Sequence, residues 1–143
     1  MVKILKRLLP LMFVFTIFLS FPINVNAADQ KLYDNAELLT SEQSQEIQDL
    51  ALTTSERIGM DIVIVTTNDD EGKSPKQYAE DFYFNNSFGY GEYKDGIILY
   101  INMTTRDIEI RTIGNLRKYI DDQNWVILRD DVTPYLSDGD YYT

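Results

Sequence analysis

Two segments, Ile62-Val63-Ile64-Val65-Thr66 and Ile97-Ile98-Leu99-Tyr100-Ile101, constrain the fold more than any other part of the chain. Each is a run of apolar and β-branched residues with no polar alternation. Such a run reads as a strand covered on both faces, the usual state of a strand in a parallel sheet. The polar stretch Asn68-Asp69-Asp70-Glu71-Gly72-Lys73 follows the first run. Ser74-Pro75 then supplies an N-cap and a proline for the first helical position. Tyr78, Ala79, Phe82 and Tyr83 form the apolar stripe of the helix that begins there. Strand, helix and strand together leave enough chain for a right-handed parallel crossover.

The flanking segments extend this unit. Thr40 and Gln43 have capping-box spacing, and Gly59 is a helix stop, so a helix is expected over 41–57. Its apolar face reads as Ile47, Leu50, Ala51, Thr54 and Ile58. Residues 28–39 read as an extended lead-in. Beyond the second run, Met103 to Arg106 read as a hairpin turn. Ile108 and Ile110 then alternate with Asp107, Glu109 and Arg111, the pattern of a strand with one wet face. After Gly114 the chain reads as irregular until Asp121, which caps a last helix bearing Trp125, Leu128, Val132 and Leu136. Pro134 kinks that helix or marks its final turn. The order is α-β-α-β-β-α, and the expected fold is α/β, a three-layer α/β/α sandwich around a mixed sheet.

Residues 1–27 read as a segment apart. Lys3, Lys6 and Arg7 precede an apolar run of about 14 residues ending near Phe21, and Val25-Asn26-Ala27 has the form of a cleavage site. This is the pattern of a secretory signal peptide, shorter than the roughly 20 residues that span a bilayer. The chain is therefore expected to be exported, extracellular or held at the cell envelope, and to meet the membrane only through this segment before cleavage. Residues 28–143 then form one domain, with the last helix cut short near Thr143.

Charge and missing residue types narrow the chemistry. The formal charge is −10 and becomes −13 once Lys3, Lys6 and Arg7 are removed. Nucleic acid is not an expected partner, because phosphate binding draws its affinity from Lys and Arg. There is no Cys and no His. Imidazole-based triads, imidazole zinc sites and thiol chemistry are excluded. Any chemistry must come from carboxylates, Lys, Arg, Tyr, hydroxyls or a metal held by oxygen.

Several segments, taken in order, resemble the TPM domain family. Asp34-Asn35-Ala36 with Leu38-Leu39 is similar to the family's opening signature, and Tyr78-Ala79 to its helical Tyr-Ala pair. Gly89 and Gly91 fall where the family places glycines before its second strand, and Asp95-Gly96 is similar to its Asp-Asn-Gly turn without the Asn. Arg106, Asp121, Ile127, Pro134 and Gly139-Asp140-Tyr141 keep the family's spacing. The likeness covers residues 31–141. It departs after the third strand, where Gly114-Asn115-Leu116-Arg117 replaces a Gly-Tyr-Gly stretch.

The candidate site residues are carboxylates suited to a hard cation, which takes about six to eight oxygen ligands. They are Asp34, Glu92, Asp95, Asp121 and Asp122. Asp95 precedes the second strand, and an antiparallel third strand returns Gly114-Asn115 to the same end of the sheet. The alternative is that Asp34 and Asp121 cap helices and Asp95 makes a turn. A groove is expected to be lined by Tyr90, Tyr93, Arg106, Arg111 and Asn115. The loop from Asn68 to Glu71 is a further carboxylate cluster at a strand end, with a solvated loop as its plainer reading. The resemblance implies calcium as the cation. It leaves two functional classes open: an accessory module that helps another envelope protein or complex assemble or persist, and a metal-assisted acid phosphatase, an activity reported for plant relatives. In the second, Asp95 or Asp34 would hold the metal while Arg106 or Arg111 faced the phosphate.

Overall fold

The buried runs form adjacent parallel strands in a computed structural model, which describes residues 29–118 and 130–142 apart from 132. β1 is Leu32–Asp34, α1 Ser41–Ile58, β2 Asp61–Thr67, α2 Pro75–Asn85, β3 Gly96–Asn102 and β4 Asp107–Ile113. A 3₁₀ turn, Gly114–Lys118, follows, and residues 133–137 are helical. The sheet order is β1-β2-β3-β4. β1 and β3 both run parallel to β2, and β4 is antiparallel to β3. Asp121, Asp122, Trp125, Leu128, Val132 and residues 1–27 lie outside the described residues.

The expected helix boundaries hold because the caps are local chemistry. The Thr40 hydroxyl accepts from the Gln43 N–H at 3.3 Å, and the Gln43 side chain returns a bond to the Thr40 N–H at 2.9 Å. Ser74 and Gln77 repeat this arrangement at α2, with Pro75 in the first helical position. Gly59 ends α1 in the left-handed conformation that favours glycine.

Side chains alternate across the sheet and divide the core in two. Val63, Val65, Ile98 and Tyr100 face α2, where Tyr78, Ala79 and Tyr83, with Phe88 of the following loop, close over them. Leu32, Ile64, Leu99 and Ile110 share one register row on the other face. There they surround a cavity of about 220 Å³ with Ile47 of α1 and Leu136. Helices therefore cover both faces of a mixed sheet, as the expected sandwich requires.

Two readings of the sequence need correction. Residues 32–34 are an edge strand, not merely a lead-in. The inner face of α1 is also displaced. Leu50 is 68% exposed and Ile58 44%, whereas Ala51 and Ser55 are buried. Polar residues do the docking. The Ser55 Oγ accepts from the Ile62 N–H at 2.9 Å. The Gln48 Oε1 accepts from the Lys31 and Leu32 N–H groups at 2.8 and 2.9 Å, while its Nε2 donates to the Asp29 carbonyl at 2.8 Å. α1 thus holds β1 partly through hydrogen bonds that no apolar periodicity could report.

Candidate site at the Asp95 end of the sheet

Asp95 lies where three elements meet: the loop from Asn86, the start of β3 and the exit of β4. Its backbone ties them together. The Asp95 carbonyl accepts from the Asp61 N–H at 3.1 Å and the Tyr90 N–H at 3.2 Å, and the Asp95 N–H donates to the Tyr90 carbonyl at 2.9 Å. Tyr90 and Asp95 therefore close a short antiparallel bridge, with Gly91 to Lys94 as its turn. Gly89 makes the closure feasible. Its φ is +107°, and a Cβ there would stand 2.5 Å from the Lys94 backbone. The loop is a pinned hairpin, unlike the open cradle that a phosphate requires.

The Asp95 side chain reaches the end of β4. Its Oδ1 accepts from the Asn115 N–H at 2.5 Å, and the Asn115 Nδ2 donates to Oδ2 at 3.4 Å. This is the juxtaposition expected from an antiparallel return. Gly114 makes room for it. Its φ is +72°, and the Asp95 Oδ1 and the Tyr93 carbonyl oxygen pack so closely against it that a Cβ would overlap them. The Asn115 amide nitrogen faces the Asp95 carboxylate, and its Oδ1 accepts from Lys118 Nζ at 3.0 Å. The Asp95, Tyr93 and Asn115 oxygens are of the donor type that hard cations prefer. Glu92 and Tyr93 are exposed on the same hairpin, and Tyr90 is 36% exposed beside them.

Behind the hairpin lies a buried ion pair that the sequence did not disclose. Lys31 Nζ meets Asp61 Oδ1 at 2.5 Å, with 4% and 7% of the two side chains exposed. Asp61 Oδ2 accepts from the Gly89 N–H at 2.5 Å. Lys31 Nζ also sits 5.4 Å above the Phe88 ring. The pair fastens the segment before β1, the start of β2 and the hairpin to one another. Tyr83 packs beneath, its hydroxyl donating to the Lys94 carbonyl at 3.3 Å. Burial raises the Tyr83 phenol well above its ordinary value, and the Asp61 and Asp95 carboxylates push it the same way.

The other expected site residues lie elsewhere. Asp34 pairs in register with Thr66, and Asp95 directly precedes Gly96, which pairs with Asp61. Thr66 and Asp61 are at opposite ends of β2, so Asp34 and Asp95 cannot share an ion. The Asp34 carboxylate instead holds the turn into α1. It accepts from the Thr66 hydroxyl at 2.5 Å, the Leu38 N–H at 3.1 Å and the Leu39 N–H at 2.9 Å. Arg106, in the β3–β4 turn, is also at the far end. Arg111 turns toward α2, where its Nη2 donates to Glu80 at 2.9 Å. The expected groove therefore divides: Tyr90, Tyr93 and Asn115 gather near Asp95, while Arg106 and Arg111 do not. The Asn68–Glu71 cluster is turn chemistry, with Asp69 accepting from the Glu71 N–H and Asp70 from the Gly72 N–H, each at 2.9 Å. Among the described residues no three carboxylates converge on one point.

Comparison with known proteins places this architecture. Residues 32–143 match the TPM domain. The UPF0603 protein YdjH of Bacillus subtilis (strain 168) is 25% identical over 135 residues, which cover 90% of this chain and 51% of that relative. The chain thus spans about half the length of the curated relative it matches. The N-terminal domain of a P. gingivalis protein superimposes with a TM-score of 0.70 at 17% identity, covering 82% of this chain and 76% of that one. The BA42 protein of the psychrophilic Bizionia argentinensis does so at 0.63 and 16%, covering 74% and 72%. At such identities these structures speak to the fold alone. With the family match running from β1 to the last residue, the chain belongs to the TPM domain family.

Proposed function

We propose that this chain is an exported TPM domain that binds a divalent cation, calcium foremost, at the Asp95 end of its sheet and serves as an accessory module of the cell envelope. The observation that carries the reading is the meeting of the Asp95 carboxylate with Asn115 at the exit of β4, with the Tyr93 carbonyl oxygen close by. A cation at this corner would draw on the Asp95 carboxylate and the Tyr93 carbonyl oxygen, and on the Asn115 side-chain oxygen once Lys118 releases it. Glu92 on the hairpin and Asp121 and Asp122 farther along the chain are the further carboxylates proposed to contribute. Asp34 takes no part. Accessory binding is preferred to phosphoryl transfer because Arg106 is at the far end of the sheet and Arg111 is engaged by Glu80. Neither guanidinium would face a phosphate held at this cation.

Export rests on the basic start, the short apolar run and Val25-Asn26-Ala27. Ala28 is the expected N-terminus of the exported protein, and mass spectrometry of the secreted or envelope fraction reads it directly. Calorimetry with calcium chloride tests the cation. Binding heat is expected, together with a rise in melting temperature equivalent to about 2.7 kcal/mol at a hundredfold excess over the dissociation constant. Asp95→Ala should remove most of that rise. Asp69→Ala, at the opposite end of the sheet, should retain it. Absence of heat at millimolar calcium would reduce Asp95 to a turn residue and end the cation reading.

A further inference from the structure

β4 is an outer strand of the sheet, and among the described residues no strand pairs with its free side. The direction of its peptide groups can be read from one bond. The Thr112 carbonyl accepts from Arg117 Nε at 2.9 Å, so it points away from β3. Peptide groups alternate along a strand, so those of Ile108 and Ile110 point outward as well. Thr112 is buried with its carbonyl engaged, so the open part of the edge carries the outward N–H and C=O groups of Ile108 and Ile110. Exposed edges of this kind recruit further strands unless charge opposes it.

The charges on β4 select the strand that fits. Two copies related by a two-fold axis pair antiparallel with one residue opposite its own copy. Centring on Glu109 sets two carboxylates face to face, and centring on Arg111 sets two guanidinium groups together. Centring on Ile108 puts Asp107 opposite Glu109. Centring on Ile110 places Glu109 opposite Arg111 twice, Ile110 opposite itself, and Ile108 opposite Thr112 at both ends. Of these registers only this one pairs every directly opposed charge with its opposite, the arrangement that stabilises cross-strand neighbours.

We propose that β4 is a self-association edge, through which two copies of this chain join their sheets antiparallel about Ile110 into one continuous sheet. The occupant is a second copy because the strand is complementary to itself in that register. The state of Glu109 agrees. Burial first raises its pKa and the Glu80 carboxylate adds to this, while Arg111 and Lys76 act in the opposite direction. Arg111 stands 3.7 Å from Glu109 and is held more closely by Glu80, so Glu109 is under-compensated within one chain. A second Arg111 across the edge supplies the missing charge. Arg117 already holds the Thr112 carbonyl and Thr112 is buried, so the interface centres on the Ile110 pair and its two flanking Glu109–Arg111 contacts.

Sedimentation equilibrium of the purified protein tests the proposal. A monomer–dimer equilibrium is expected. Glu109→Arg and Arg111→Glu should each raise the dissociation constant by roughly tenfold or more, because like charges then face one another twice. An equimolar mixture of the two variants should recover dimers, since every opposed pair is again of opposite sign. Arg111→Glu also loses Glu80, so a second test avoids it. The chain has no cysteine, and Ile110→Cys would place two thiols opposite each other at a Cα separation of about 5.5 Å, within disulfide reach. Oxidation should cross-link Ile110→Cys and spare Thr105→Cys in the β3–β4 turn. A protein that stays monomeric and yields no Ile110→Cys cross-link overturns the proposal. So does a dimer indifferent to both charge reversals, which would place its interface elsewhere.

Discussion

Gly114 packs against Asp95 with no space for a side chain: a Cβ on Gly114 would overlap the Asp95 carboxylate and stand 2.6 Å from the Tyr93 carbonyl oxygen. The positive φ of +72° adds a second reason for glycine. Gly114→Ala should therefore destabilise the fold by about 2–4 kcal/mol, combining left-handed strain with overpacking against backbone. Urea denaturation followed by circular dichroism measures it. Asp95→Asn is the companion variant. It keeps an acceptor for the Asn115 N–H and should lose no more than about 1.5 kcal/mol. A larger loss for Asp95→Asn than for Gly114→Ala would mean that charge, not space, organises this corner.

The Lys31–Asp61 pair is buried on both sides, and buried pairs are most costly when half removed. Lys31→Met should destabilise by about 3–5 kcal/mol, because it leaves the Asp61 carboxylate uncompensated. Lys31→Met combined with Asp61→Asn removes both charges and retains an acceptor for the Gly89 N–H. The double variant should be more stable than Lys31→Met alone. A double-mutant cycle gives the coupling, and strict additivity would show that Asp61 had found another counter-charge.

The outward turn of Leu50 gives a contrast between neighbours. Leu50 is 68% exposed while Ala51 is 4% exposed. Leu50→Gln should change stability by no more than about 0.5 kcal/mol. Ala51→Leu should cost about 1–3 kcal/mol, because the added volume meets β2 across a close helix–sheet contact. Thermal melts of the two variants side by side settle the orientation of α1.

These residues also show what the sequence could and could not disclose. The two buried strands, the Thr40 and Ser74 capping boxes, the Gly59 stop and the hairpin are local patterns, and the structure contains each of them. The meeting of Asp95 with Asn115 was accessible because it needs only an antiparallel return. The inner face of α1 was misread because its docking groups are Gln48 and Ser55, which apolar periodicity ignores. β1 is three residues long, too short to show a period. The Lys31–Asp61 pair joins residues thirty positions apart, so only the sheet order could reveal it. Asp34 was read as a potential ligand because a carboxylate that satisfies backbone N–H groups looks the same in sequence as one that awaits a cation.

Tyr83 makes the fold sensitive to alkali. Its ring is fully buried, and burial first, then the Asp61 and Asp95 charges, raises its pKa above the usual value of 10.0. Below that value the phenol is protonated in both folded and unfolded chains, and it contributes no pH dependence. Above it the unfolded chain releases a proton that the folded chain keeps. Stability must then fall as pH rises, by about 1.4 kcal/mol per pH unit for this group. Tyr33 and Tyr100 are raised in the same direction by burial and add to the slope. Tyr83→Phe should lose about 1 kcal/mol near neutral pH with its bond to the Lys94 carbonyl. Between about pH 10 and 11 the variant should lose less stability than the wild type, so that the two curves converge. Urea midpoints across that range measure the difference. Parallel curves would show that the Tyr83 phenol ionises within the folded protein, and that the corner beneath the Asp95 hairpin opens to water before the chain unfolds.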